Sequence, residues 1–280
     1  MKTPKIIVHT LVRNEERFIW YALQSVLPFV DKIMVWDTGS TDKTVEIIKT
    51  IKSPKISFKE VGAVDADGLT TMRQKMIEEI PDGFDWLMYL DGDEVWTSSY
   101  IKTITNYARS HLETETIVIR THNLVGDIYH ALPESAGRYE LAGHKGHLNL
   151  RFINLKKVPG LHVSHPHGQQ RYLDIHDTPI QNRDQRNVAY LPIFFHHATH
   201  LIRSLDRTHD LLVPKRKQKL KHEIGTRIPS TDIPEVFFAK RPITVPDVTG
   251  QASLLFWTIS ALETIPRRIK RLLFPNKSGY

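Results

Sequence analysis

Phe84-Asp85-Trp86-Leu87-Met88-Tyr89-Leu90-Asp91-Gly92-Asp93-Glu94-Val95 is the stretch on which the reading of this chain turns. Residues 86–90 form an unbroken apolar run of strand length, suited to burial on both faces, and three carboxylates follow at its C-terminal end. Carboxylates this close repel one another and raise each other's pKa unless a cation or a ligand's donors compensate. Asp91 and Asp93 flank a residue without a side chain, so the backbone can turn tightly and present both to one ion. Hard oxygen ligands favour Mg2+ or Mn2+, and Mg2+ is usually held by one or two carboxylates together with substrate phosphates. The strand end therefore points to a phosphate-bearing substrate. Its competitor is a solvated Asp-Gly-Asp turn that only closes a strand.

Upstream, strands and helices alternate. Residues 5–12 read as a buried first strand, and helical spacing begins at Arg13-Asn14-Glu15-Glu16, carrying Phe18, Ile19, Ala22, Leu23, Val26 and Leu27 until Pro28 stops it. Residues 32–36 form a second strand. The turn Asp37-Thr38-Gly39-Ser40-Thr41-Asp42 then starts a second helix, with Ser40 or Thr41 as cap and Asp42 at the positive end of its dipole. Residues 56–61 read as a third strand, 69–80 as a third helix, and Pro81-Asp82-Gly83 as the turn before the quoted strand. This order predicts an α/β fold with a parallel sheet and right-handed crossovers, in which ligands bind beyond the carboxyl ends of the strands. Asn14-Glu15, Asp37 to Asp42, and Asp91 to Glu94 all follow predicted strands, so one cleft can gather them.

Composition sets the outer limits. With 280 residues, 40% apolar and 25% charged, the chain has the makeup of a soluble globular protein large enough for a substantial core. It has no cysteine, which excludes a disulfide framework and a thiolate metal site and is compatible with the cytoplasm. The first residues carry no apolar leader or cleavage site, so no signal peptide is expected. The net charge of +7 suits phosphorylated substrates or an anionic membrane. The basic runs, at 214–221 and 267–277, lack interleaved aromatics and match no nucleic-acid motif, so nucleic acid is not expected as a partner.

Four blocks together carry a family resemblance: Val12-Arg13-Asn14-Glu15-Glu16, then Val35-Trp36-Asp37-Thr38-Gly39-Ser40-Thr41-Asp42-Lys43-Thr44, then Arg73-Gln74, then the quoted strand with its carboxylates. In order and spacing they resemble the inverting family 2 glycosyltransferases of the GT-A fold, over roughly residues 5–96. The resemblance implies a metal-dependent enzyme that moves a sugar from a nucleotide diphosphate donor, a uridine diphosphate sugar by preference, to a glycan or lipid-linked acceptor hydroxyl. It implies that the loop from Thr10, Leu11 and Val12 through Asn14 and Glu15 runs beside the base, that Asp37 hydrogen-bonds the base or ribose, and that Arg73 lies near the base or phosphates. Asp91 would face ribose and metal, and Asp93 would ligate Mn2+ or Mg2+. Each block also has a plain structural reading: Asp37 to Asp42 make a good helix cap, Arg73 a solvated helix residue, and Asn14-Glu15 a helix start.

The second half of the chain is less regular. Residues 100–110 read as a helix, and 116–120 and 148–155 as strands. Related enzymes have Gly-X-X-His-Glu where this chain has Gly160-Leu161-His162-Val163-Ser164-His165, so the glutamate is missing, and the candidates for the base are His165, Asp174 and Asp177. Eight of the fifteen histidines fall between His162 and His209, most densely in Phe194-Phe195-His196-His197-Ala198-Thr199-His200. GT-A enzymes often return a late histidine to the metal, which selects His197 and His200; the alternative is hydrogen-bonded or surface histidines. Residues 215–221 read as a solvated basic helix face or an anionic-lipid or phosphate contact, and 228–248, with four prolines, as an irregular linker or lid.

The predicted organisation is a GT-A domain over 1–212, with a nucleotide-binding half to about 96 and an acceptor half over 97–212, followed by a linker and an amphipathic helix over 213–280. That last helix places Leu255, Ile259, Leu262, Ile265, Ile269 and Leu272 at helical spacing, with Phe256 and Trp257 on the same side. Basic residues lie beyond Pro266, which should kink or split it. Packing on the domain and docking on an anionic leaflet, the inner face of the cell membrane, are the two readings of this helix. Two other functions share the fold: a sugar-nucleotide or glycan-binding module without a base, and a nucleotidyltransferase. The latter usually has a Gly-rich loop after its first strand, and Val12-Arg13-Asn14-Glu15 has no glycine.

Overall fold

A computed structural model describes residues 3–166, 169–213 and 216–273. Of the two basic runs, Pro214, Lys215 and residues 274–277 lie outside these, as does His167. The first half follows the predicted alternation: β1 (Ile6–Val12), α1 (Ile19–Val26), β2 (Lys32–Asp37), α2 (Thr44–Thr50), β3 (Ile56–Glu60), α3 (Ala66–Glu78) and β4 (Trp86–Tyr89). Then come β5 (Glu94–Trp96), α4 (Ser98–Ser110), β6 (Thr116–Asn123), β7 (His130–Ala131), β8 (Tyr139–Leu141), β9 (His144–Gly146) and β10 (Leu148–Asn154). The remainder is β11 (His162–Ser164), β12 (Arg171–Leu173), β13 (Val188–His197), α5 (Arg207–Leu211), α6 (Arg216–Lys219), β14 (Thr226–Arg227) and α7 (Leu254–Leu273).

Eight strands form one mostly parallel sheet in the order β3-β2-β1-β4-β10-β6-β13-β5. β1 pairs in parallel with β2 on one side and β4 on the other, while β10 runs antiparallel between β4 and β6. All seven residues of β1 are buried, and alternate ones enter opposite cores: Ile6, Val8 and Val12 pack with α1, whereas Ile7 and Leu11 pack with Trp36 and with Met76 of α3. Because the chain runs outward through β2 and β3 and then returns to the far side of β1, the strand order reverses between β1 and β4. A crevice opens beyond their carboxyl ends.

Three expectations are corrected. α1 begins at Ile19, not at Arg13, because Asn14 adopts a left-handed backbone (φ 54°) that a helix cannot include. The proline-bearing span 228–248 is irregular but packed: Ile228, Phe237, Val245 and Val248 join the main core, and the Tyr21 hydroxyl donates to the Pro246 carbonyl at 2.8 Å. α7 is not split at Pro266, which sits on an exposed position of the one continuous helix. No helix among the described residues is long and apolar enough to cross a membrane.

Candidate active site

The first wall of the crevice is the loop after β1. Asn14 tolerates its left-handed backbone and ties three elements together: its amide nitrogen donates to the His209 carbonyl at 2.9 Å, its side-chain oxygen accepts from Thr41 N at 2.7 Å, and its backbone N–H meets Ser40 Oγ at 2.8 Å. Glu15 then faces the crevice. Burial pushes its carboxyl up to about 7, against the pull of Arg203 and Arg216, whose guanidiniums lie 3.0 and 2.5 Å from Oε1.

The second wall is Asp91-Gly92-Asp93, which links the central β4 to β5 at the far edge of the sheet. Gly92 has no side chain for a steric reason: a Cβ there would lie 2.8 Å from Glu15 Cγ and 3.0 Å from Val12 Cγ1. Glu15 is fixed by two arginines and cannot swing aside. Gly92→Ala should therefore cost about 1–3 kcal/mol of stability, measurable as a fall in denaturation midpoint; an unchanged midpoint would mean that the two walls are not in contact.

With Glu15, three further carboxylates, Asp91, Asp93 and Glu94, meet in the crevice. Asp91 has a side chain 36% exposed and lies 3.4 Å from Arg73 and 3.5 Å from Arg151; although burial alone would raise its pKa, these two cations hold it below the usual range. Asp93 is 1% exposed, with Arg203 at 2.8 Å and His197 at 3.4 Å, and against the upward push of burial it too is held down. Glu94 is fully buried, which raises its pKa well above normal, and it is paired with Arg151. His197 arrives because β13 runs antiparallel to β5 with His197 opposite Glu94.

A cation fits this donor set. Ligand atoms of Asp91, Glu94 and His197 all lie within 4.8 Å of one another. Asp93 Oδ2 is buried and, although 2.8 Å from Arg203, lacks the alignment of a hydrogen bond. Two carboxylates and an imidazole, with a further carboxylate oxygen beside them, suit Mn2+ or Mg2+. Among the described residues a second group, Glu16, Asp42 and His209, has comparable spacing, but none of its three members lines the cavity that Asp91, Asp93 and His197 face.

Two cavities share this centre. One is lined by Leu11, Val12, Arg13, Glu15 and Thr38, by the aspartates and His197, and by Arg73, Arg203, Arg216 and Lys219. The other shares Arg73 and Asp91 with it and extends over Tyr89, Tyr172, Gln170 and Gln181. Arg73 Nη1 reaches the Tyr172 hydroxyl at 3.4 Å, which places the guanidinium between the cavities.

The sequence-derived candidates divide accordingly. Leu11, Val12, Glu15, Arg73, Asp91, Asp93 and His197 line the first cavity; Thr10 is wholly buried behind it. Asp37 is 2% exposed, with its carboxylate accepting from Gly39 N, Ser40 N and Ser40 Oγ, so it builds the turn that carries Thr38. His200 belongs to neither group of three: its Nδ1 sits 2.6 Å from the Lys219 carbonyl, and it lines a different cavity. The three base candidates are not gathered at the cavities. Asp174 accepts from His176 N and Thr178 N and pairs with Arg183, Asp177 is 82% exposed beside His162, and His165 is exposed with its carbonyl bonded by Thr70 Oγ1.

Sequence reasoning did not single out Glu94, which joins Asp91 and His197 in the candidate group, and it missed Arg203 and Arg216. Arg216 falls in the basic run read as a solvated helix face, yet it is 4% exposed, donating to the Arg13 and Asn14 carbonyls and to Asp210 and Glu15. A buried arginine cannot be told from a solvated one by a run of like charges.

The sequence model of glycosyl transferase family 2 matches residues 7–162, more than half of the chain. A curated relative, the uncharacterized glycosyltransferase RT0209 of Rickettsia typhi, is 34% identical over 90 residues, which make up 32% of this chain and 28% of that protein. The match thus spans little more than a quarter of the relative's length. Among solved structures, S. aureus TarS (residues 1–349) aligns over 77% of this chain and 68% of its own, with 14% identity and a TM-score of 0.43. Glucosyl-3-phosphoglycerate synthase of Mycobacterium tuberculosis, crystallised with Mn2+, UDP-glucose and phosphoglyceric acid, aligns over 74% and 76%, with 16% identity and a TM-score of 0.43.

Proposed function

The chain belongs to glycosyl transferase family 2, and we propose that it is a metal-dependent inverting enzyme that transfers a sugar from a uridine diphosphate donor to a hydroxyl of a glycan or lipid-linked acceptor. The observation that carries this reading is the convergence of Asp91, Glu94 and His197 on one point, faced by Arg73, Arg203, Arg216 and Lys219. Such a site offers ligands for a cation and a separate set of positive charges for a diphosphate. The base lies along Leu11, Val12 and Thr38, and the diphosphate lies against the arginines. Asp91, Glu94 and His197, with the Asp93 carboxylate beside them, would hold Mn2+ or Mg2+, which when bound supplies positive charge to the leaving group.

The second cavity takes the acceptor, with its hydroxyl near Asp91. In a single displacement the acceptor oxygen bonds to the anomeric carbon as the bond from that carbon to the diphosphate oxygen breaks, and the hydroxyl proton passes to solvent water, to which the second cavity is open. Arg73, common to both cavities, steadies the charge that develops on the diphosphate.

Calorimetry tests the ligand set. With UDP present, His197→Ala should weaken Mn2+ binding at least about tenfold, whereas His200→Ala should leave it unchanged because His200 lies outside the group. If UDP binds equally well with and without Mn2+, or if His197→Ala binds Mn2+ as the wild type does, the assignment is wrong.

A further inference from the structure

α7 is packed inside out. At 100° per residue, Leu254, Leu255, Leu262, Ile265, Ile269, Leu272 and Leu273 fall within an arc of about 100° along the helix. All seven are exposed, Leu254 by 86%, Leu262 by 74% and Leu272 by 81%. The opposite side meets the rest of the protein through polar and aromatic contacts. Ser260 and Thr264 are its buried residues, Thr264 Oγ1 accepts from Ile224 N at 2.8 Å, and Arg271 pairs with the fully buried Glu223. Phe256 rests on Gly126, where a Cβ would come within 2.5 Å of its ring, and Trp257 stands edge-on to His130 at 4.8 Å. Both aromatics thus anchor the helix, contrary to the expectation that they join its outer apolar side. Water alone does not account for a leucine stripe held outward by such a fixed polar underside.

The charges identify what covers it. Arg268 and Lys270 are exposed and project on either edge of the stripe, about 40° and 60° beyond its limits. The helix has one acidic residue, Glu263, on the inner side and already paired with Arg267 at 2.6 Å. A second copy of this helix therefore offers no carboxylate to meet Arg268 or Lys270, whereas anionic lipid headgroups do. Their long stems can lie along the apolar surface while the charges reach the phosphates. At 20 residues, α7 is about 30 Å long, and it is not apolar enough to cross a bilayer, so it lies in the plane of the interface. We propose that α7 docks this enzyme on an anionic membrane leaflet through its outward leucine stripe and the two cations that flank it.

Flotation of the full chain with vesicles of equimolar phosphatidylglycerol and phosphatidylcholine, against phosphatidylcholine alone, tests this. Binding is expected to the anionic vesicles, to weaken as salt rises, and to fall by at least about tenfold in both Leu262→Glu/Ile269→Glu and Arg268→Glu/Lys270→Glu. All four side chains are exposed, so the thermal midpoint should not move, which separates lost docking from lost folding. Failure to float with anionic vesicles would overturn the proposal, as would equal binding to neutral ones. So would a wild-type dimer in light scattering that Leu262→Glu/Ile269→Glu converts to monomer, since the stripe would then be covered by a second copy.

Discussion

Asp93→Asn is expected to lower sugar transfer by about 10²- to 10³-fold with the fold retained. The substitution keeps the shape of the side chain but removes the charge that faces His197 and Arg203. Arg203 keeps Glu15 as a partner, so no cation is left alone in the interior, and the stability loss should be small beside the loss of turnover. Activity is followed by release of nucleoside diphosphate and folding by circular dichroism. Near wild-type turnover would remove Asp93 from the mechanism, and an unfolded variant would make it a structural ion pair.

Arg216→Met should have the largest effect on stability. This side chain fastens the segment after β13 onto the loop after β1, donating to two carbonyls and two carboxylates while 4% exposed. Removing one partner of a buried ion pair leaves the other uncompensated, a loss of about 3 kcal/mol here, or roughly 6–12 °C in thermal midpoint. Donor affinity should fall as well, because Arg216 lines the donor cavity. A midpoint within about a degree of wild type would mean that this fastening contributes little.

The parts of the fold legible in the sequence are those written in local pattern. β1, β2 and β4 are apolar runs bounded by turn residues, so their place in a parallel sheet, and the crevice beyond their ends, could be anticipated. Asp91 and Asp93 were legible because their carboxylates share one short turn. Glu94 was quoted but passed over, since its place beside His197 depends on β5 leaving the centre of the sheet for its edge, a long-range pairing with no local mark. The same holds for Arg203 and Arg216, which reach Glu15 across 188 and 201 residues. Asp37 shows the reverse: its motif was plain, but its carboxylate is occupied by the turn it builds. Helical spacing in α7 was visible as well. Which side of it faces outward was not, because that is set by Gly126, Glu223 and Ile224 on distant segments.

The most direct test of the enzymatic account is to incubate the protein with a panel of nucleotide sugars and Mn2+, with and without EDTA, and to measure nucleoside diphosphate release. The expected result is release from a uridine diphosphate sugar that EDTA abolishes and that Asp93→Asn lacks. Release that persists unchanged in EDTA, or no release from any donor while UDP fails to bind, would contradict it.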